Sequence, residues 1–127
     1  MEADELLKSL NVAFIDDDGV LREEVGRILR RRVKRLYTAA DGEEGLALVL
    51  REKPDMVITD MEMPVMGGKE MIDRIRGEMP DLPIVVVTAY RDKEHYSEEA
   101  DMYIYKPVID LWEFMETLAQ VARKTFG

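Results

Sequence analysis

The chain has no cysteine, which excludes disulfides and thiolate metal sites. No apolar run approaches the ~20 residues needed to cross a bilayer, and there is no internal repeat or low-complexity tract. Bases are outnumbered, 18 against 27 acids, for a formal charge of −9. That balance argues against non-specific nucleic-acid binding, which depends on lysine and arginine displacing counterions from phosphates. Any DNA-binding output is therefore expected outside these residues. The start, Met1-Glu2-Ala3-Asp4-Glu5, is acidic where a signal peptide is basic, so a soluble cytoplasmic protein is expected. The sole histidine, His95, lies in an acidic stretch and reads as a solvated surface residue. The one basic cluster, Arg27, Arg30, Arg31, Arg32, Lys34 and Arg35, falls at the end of the first predicted helix. Interaction with that helix's C-terminal dipole accounts for it more simply than a docking patch does.

What is present is a strand-helix rhythm. A chain of 127 residues makes about one domain, which buries roughly two-thirds of its unfolded surface. Leu21, Val25, Ile28 and Leu29 form the i, i+4, i+7, i+8 stripe of a one-sided helix. A short strand at 35–39 follows, and then a second helix opens on Asp41-Gly42-Glu43-Glu44 with a stripe of Leu46, Val49 and Leu50. Residues 55–60 read as a third strand, and 69–78 as a helix with Met71, Ile72 and Ile75 inward. Pro80 and Pro83 bracket the turn into a fourth strand, and 102–105 make a fifth. The last helix, begun by Asp110-Leu111-Trp112-Glu113, carries Leu111, Phe114, Met115, Leu118 and Val121. Near-continuous apolar strands alternating with helices imply an α/β fold with a parallel sheet covered on both faces. The residues before Leu10 read as a short lead or linker (1–9), with the domain proper at 10–127.

Four apolar runs end in polar groups: Val12-Ala13-Phe14-Ile15 in Asp16-Asp17-Asp18, Met56-Val57-Ile58-Thr59 in Asp60, Ile84-Val85-Val86-Val87 in Thr88, and Met102-Tyr103-Ile104-Tyr105 in Lys106-Pro107. Strand ends of an open parallel sheet line the crevice where such folds bind ligands. If Asp16, Asp17 and Asp60 gather within about 5 Å, each pair repels by roughly 3 kcal/mol at an effective dielectric near 20. The cluster thus calls for a cation. All-oxygen ligands favour Mg²⁺, or Mn²⁺ in its place, over zinc, and without the metal one carboxylate should titrate high. Asp18 reads as a helix cap.

The acid pair Asp16-Asp17, the run Asp60-x-x-Met63-Pro64-x-Met66-x-Gly68, Thr88-Ala89 and Lys106-Pro107 occur in that order. In this the chain resembles the receiver domains of two-component response regulators, over roughly residues 10–122. The resemblance implies a flavodoxin-like doubly wound sheet of five strands, order 2-1-3-4-5, with five helices. It implies a phosphorelay receiver, regulatory rather than an enzyme in the ordinary sense. Asp60 would take a phosphoryl group from the phosphohistidine of a sensor kinase or phosphotransfer protein, becoming an acyl phosphate. Asp17, Asp60 and the Glu62 backbone carbonyl would bind the metal directly, and Asp16 mainly through water. Lys106 and Thr88 would contact phosphate oxygens, and Thr88 with Tyr103 would form the switch. The output would be a downstream protein or linked output domain.

The segment 91–101 leaves about one turn fewer than the usual fourth helix, so that helix is expected to be short and the output surface altered. Trp112 lies one step off the inward stripe of the last helix, and Tyr90, Tyr96 and Tyr105 crowd the same third of the sequence, which suggests a contact region near the fifth strand and Trp112. Two alternatives stay open. The run Phe14-Ile15-Asp16-Asp17-Asp18-Gly19-Val20-Leu21 also looks like the motif of haloacid-dehalogenase-type phosphatases, in which Asp16 would be the nucleophile and Asp18 the general acid-base. The other is a receiver fold used only as a phosphorylation-independent scaffold.

Overall fold

A computed structural model describes residues 3–127; of the acidic start, Met1 and Glu2 lie outside the described residues. In chain order the elements are α1 (Ala3–Lys8), β1 (Asn11–Ile15), α2 (Gly19–Arg32), β2 (Arg35–Ala39), α3 (Gly42–Glu52), β3 (Met56–Thr59), α4 (Gly68–Glu78), β4 (Ile84–Thr88), a 3₁₀ turn (Lys93–His95), β5 (Met102–Tyr105) and α5 (Leu111–Phe126). The strands pair in parallel in the order β2-β1-β3-β4-β5, as expected. Because strand side chains alternate between faces, Val12 and Phe14 join one core with α1, α2 and α5, while Ala13 and Ile15 join another with α3 and α4.

Helix starts follow the expected capping chemistry. The Asp18 carboxylate accepts from Val20 N and Leu21 N, Asp41 from Glu44 N, and Asp110 from Glu113 N. Each occupies an otherwise unsatisfied donor of a first turn. Arg30, Arg31 and Arg32 fall in the last turn of α2, where cations meet the negative end of the dipole.

Three local expectations change. Ala3–Lys8, placed in the lead, is helical, and Leu6 and Leu7 are buried between α1 and the face of α2 and α5. Two buried leucines contribute about 2 kcal/mol each, enough to order a helix too short to persist alone. In α3 it is Leu48 and Val49 that are buried while Leu50 is exposed, because Gly45 brings the helix against Ile15 and Met71 and turns its face by a residue. Leu111, assigned to the inward stripe of α5, is exposed, since it stands at the first turn, beyond the edge of the core.

Between β4 and β5 the shortening goes further than one turn. Only the three-residue 3₁₀ turn remains. The run Arg91-Asp92-Lys93-Glu94-His95-Tyr96-Ser97-Glu98-Glu99 has almost no apolar stripe to bury, and a short helix without one does not persist. Arg76 holds this connection at its lower end. Its side chain is 11% exposed, and the guanidinium donates to the carbonyls of Leu82 (2.5 Å), Glu99 (2.7 Å), Pro80 (3.2 Å) and Met79 (3.3 Å) and to the Asp101 carboxylate (3.0 Å).

The loop after β3 contains a strained residue. Val65 adopts φ 70°, a left-handed conformation that crowds a β-branched side chain, and it is 74% exposed, so no packing compensates. Val65→Gly is expected to stabilise the fold by about 1 kcal/mol after the extra chain entropy of glycine is subtracted, raising Tm by roughly 4 °C. Thermal unfolding checks this; an equal or lower Tm would contradict it.

Candidate functional site

β1, β3, β4 and β5 end at one edge of the sheet: Asp16, Asp60 and Lys106, each directly after its strand, meet there, and Thr88 is the last residue of β4. Asp16 leaves β1 with its N–H bonded to the Ala39 carbonyl, and Asp60 leaves β3 with its N–H on the Ile15 carbonyl at 3.0 Å. Gly68 closes the loop beneath: its N–H donates to the Met61 carbonyl at 2.8 Å, and a Cβ there would collide with the Asp60 carbonyl oxygen. The approach of α4 to the strand end thus requires glycine.

One carboxylate oxygen from each of Asp16, Asp17 and Asp60 lies within 4.8 Å of the others. Asp16 and Asp60 are buried and Asp17 is exposed. Lys106 Nζ sits 2.7 Å from Asp60 Oδ2 and 3.0 Å from Asp16 Oδ2. Asp60 Oδ1 also accepts from Met61 N at 2.7 Å, and Asp16 Oδ1 from Asp18 N at 2.9 Å. Three clustered acids against one ammonium leave a negative, all-oxygen site open on the Asp17 side. That donor set suits a hard divalent cation that keeps several waters.

Burial raises the pKa of Asp16, against the lowering effect of the Asp18 N–H and Lys106; repulsion from Asp60 adds least. One carboxyl does titrate high, then, but chiefly through desolvation rather than acid crowding. Burial opposes the charge of Lys106, yet its hydrogen bonds to Asp60 and Asp16 outweigh that and raise its pKa.

Thr88 is buried, and its Oγ1 accepts from Tyr90 N at 3.2 Å. Tyr103 is half-buried against the core of α3 and α4. Its hydroxyl donates to the Ser97 carbonyl (3.0 Å) and accepts from Ser97 N (2.6 Å), and its ring stacks on Tyr96 and Tyr105. Arg91 covers the Tyr105 ring at 3.9 Å. Through Tyr96 and Arg91 the β4–β5 connection thus packs on the rings of β5. Ser97 carried no sequence signal for the role, because its contact to Tyr103 is made by backbone atoms.

His95 differs from expectation. Its side chain is 18% exposed, with Nε2 at 2.7 Å from Glu62 Oε2 and Nδ1 at 2.5 Å from Asp92 Oδ1. Hydrogen bonding to Asp92 first, then to Glu62, raises its pKa. The Asp92-x-x-His95 spacing hinted at the local contact; the partner in the β3 loop could not be read from it. Trp112 is 68% exposed, as expected, but borders a groove with Ile28, Arg32, Leu111 and Met115 between α2 and α5. The groove along β5, with Tyr103, Tyr105, Glu113 and Thr117, lies on another face of α5. The single contact region expected near the fifth strand and Trp112 is thus two surfaces.

Residues 12–119 match the family model of the response regulator receiver domain, and the chain belongs to that family. It is 32% identical over 120 residues, 91% of this chain, to a probable transcriptional regulatory protein, TcrX, of Mycobacterium tuberculosis. The chain spans about half (51%) of that relative's length. Among solved structures it resembles the N-terminal domain of an uncharacterized protein from Wolinella succinogenes, with TM-score 0.83, 31% identity and coverage of 91% of this chain and 96% of that one. A CheY-like response regulator receiver domain protein from Methanospirillum hungatei gives TM-score 0.80 and 27% identity, covering 91% and 98%.

The chain is therefore a receiver domain of two-component signalling, a regulatory phosphoacceptor domain rather than an enzyme in the ordinary sense. The dehalogenase-type alternative is not favoured: the Asp18 carboxylate is committed to capping α2, and Asp16 is buried under Lys106. No helix among the described residues is long and apolar enough to cross a membrane.

Proposed function

We propose that Asp60 is the phosphoacceptor of a phosphorelay, taking its phosphoryl group from a phosphohistidine on a sensor kinase or phosphotransfer protein in the cytoplasm. The supporting observation is the convergence of Asp16, Asp17 and Asp60 with Lys106 at one sheet edge. An Asp60 carboxylate oxygen attacks phosphorus while the P–N bond breaks and its electron pair returns to the donor imidazole. Lys106, already on Asp60, is placed to meet a phosphate oxygen, and Thr88 to donate its hydroxyl proton to another while its oxygen accepts from Tyr90 N.

Asp16, Asp17, Asp60 and the Glu62 carbonyl would hold Mg²⁺, with Mn²⁺ able to replace it. When bound, the cation neutralises negative charge on the phosphoryl oxygens. Asp17→Ala, which deletes an exposed ligand without disturbing the Lys106 contacts, is expected to weaken Mg²⁺ binding by roughly a hundredfold, the upper end of what loss of a supporting partner costs. Calorimetric titration measures this; an unchanged isotherm would put the cation elsewhere.

The switch pairs Thr88 with Tyr103. Drawing Thr88 toward phosphate shifts a pre-existing equilibrium in which Tyr103 is held to Ser97 or released. The change is read by a downstream protein or linked output domain, and this acidic domain itself makes no nucleic-acid contact.

Mg²⁺-dependent labelling with acetyl phosphate, followed by mapping of the labelled residue, tests the proposal. Label on Asp60 supports it. Label on Asp16 would revive the phosphatase reading, and no label at all would leave a phosphorylation-independent scaffold.

A further inference from the structure

β3 and β4 are neighbours in the sheet, so the loops that follow them flank Asp60 and Thr88 at the same edge. Glu62 stands on the first loop and Tyr90 on the second. Among the described residues, His95 joins the two: Nε2 to Glu62 at 2.7 Å, Nδ1 to Asp92 at 2.5 Å, and its ring stacked on Tyr90 with centroids 4.0 Å apart and planes 14° apart. The result is a bar of one ring pair and two carboxylates between the loops. Its position does not follow from the folding of either loop alone, since Glu62 and His95 are 33 residues apart.

We propose that His95 is a positioning residue for turnover at Asp60, tying the β3 loop to the β4 loop so that Glu62 and the Tyr90 ring restrict one side of the approach to the phosphoryl group. The inference rests on Asp60 being the phosphoacceptor. In hydrolysis, a water oxygen bonds to phosphorus as the P–O bond to the Asp60 carboxylate breaks. The electron pair of that bond stays on the carboxylate; one water proton remains with the phosphate and the other passes to solvent. Attack is in line, so water must arrive from the solvent side, opposite the breaking bond. A small phosphodonor enters along the same line, and loosening the bar therefore speeds both gain and loss of phosphate.

The test compares the unaltered chain with His95→Ala and His95→Gln, each labelled with acetyl phosphate and Mg²⁺, purified, and followed for loss of label. His95→Ala is expected to lose phosphate about tenfold faster and to label faster, the shift expected from losing one hydrogen bond to a charged group. His95→Gln, whose amide can still donate to Glu62, is expected to return to within about threefold of the parent lifetime. Mg²⁺ affinity should be the same in all three, which separates positioning from general disruption of the site. A parental lifetime in His95→Ala overturns the inference, as does fast loss accompanied by weakened Mg²⁺ binding. Equal speed in the alanine and glutamine variants would also overturn it, since the bond to Glu62 would then carry no effect. Absence of label on Asp60 in the unaltered chain is a different failure, that of the phosphoacceptor assignment itself.

Discussion

Asp60→Asn is expected to lower phosphoryl incorporation from acetyl phosphate and Mg²⁺ by about a thousandfold or more, to background, because a neutral amide replaces the proposed nucleophile. The fold should survive. Asparagine has the same shape, keeps an oxygen to accept from Met61 N, and leaves Lys106 with Asp16 as partner. It also removes one charge from a cluster of three acids, so the unfolding midpoint should stay within about 3 °C of the parent or rise slightly. Intact-mass measurement of the phosphorylated fraction, together with thermal unfolding, separates the two effects. Persistent incorporation in a well-folded Asp60→Asn chain would sink the assignment.

Arg76→Ala is expected to have the largest effect on stability. The guanidinium serves four backbone carbonyls and the Asp101 carboxylate, and Asp101 in turn accepts from Ile84 N at 2.7 Å at the start of β4. Truncation leaves the part-buried Leu82 and Met79 carbonyls short of a donor, whereas Glu99, Pro80 and the Asp101 carboxylate are exposed and can turn to water. With two part-buried carbonyls losing their donor and the exposed contacts contributing little, this amounts to about 2 kcal/mol, or roughly 8 °C in Tm. Arg76→Lys should recover little, because an ammonium cannot spread its donors as the planar fork does. Denaturant unfolding gives the measurement; a loss under about 1 kcal/mol would show that the β4–β5 connection is held by other contacts.

The two variants probe opposite ends of the same sheet. Asp60 stands where strand ends gather charge for chemistry, and Arg76 where the connection between β4 and β5 is fastened in place of a helix. Loss of Arg76 should therefore lower stability well before it alters the Asp60 site, whereas loss of Asp60 should do the reverse.

The strand-helix rhythm, the caps at Asp18, Asp41 and Asp110, and the placing of Asp16, Asp17, Asp60, Thr88 and Lys106 at strand ends were legible from the amino-acid sequence. Each depends on residues close in the chain: apolar periodicity, a capping side chain within three residues, a polar residue directly after a buried run. Parallel pairing then carries all the strand ends to one edge. What the tertiary structure alone decided are contacts between segments far apart in sequence. His95 looked solvated because Glu62 is 33 residues away. Arg76 carries no local signal of its role, because its partners Glu99 and Asp101 lie 23 and 25 residues on. Leu6 and Leu7 looked like a lead because the core of α2 and α5 that receives them is assembled from the rest of the chain. Local pattern determines which elements form and where their polar ends fall; long-range packing determines which of the remaining side chains find partners, because those energies exist only once the sheet has brought the segments together.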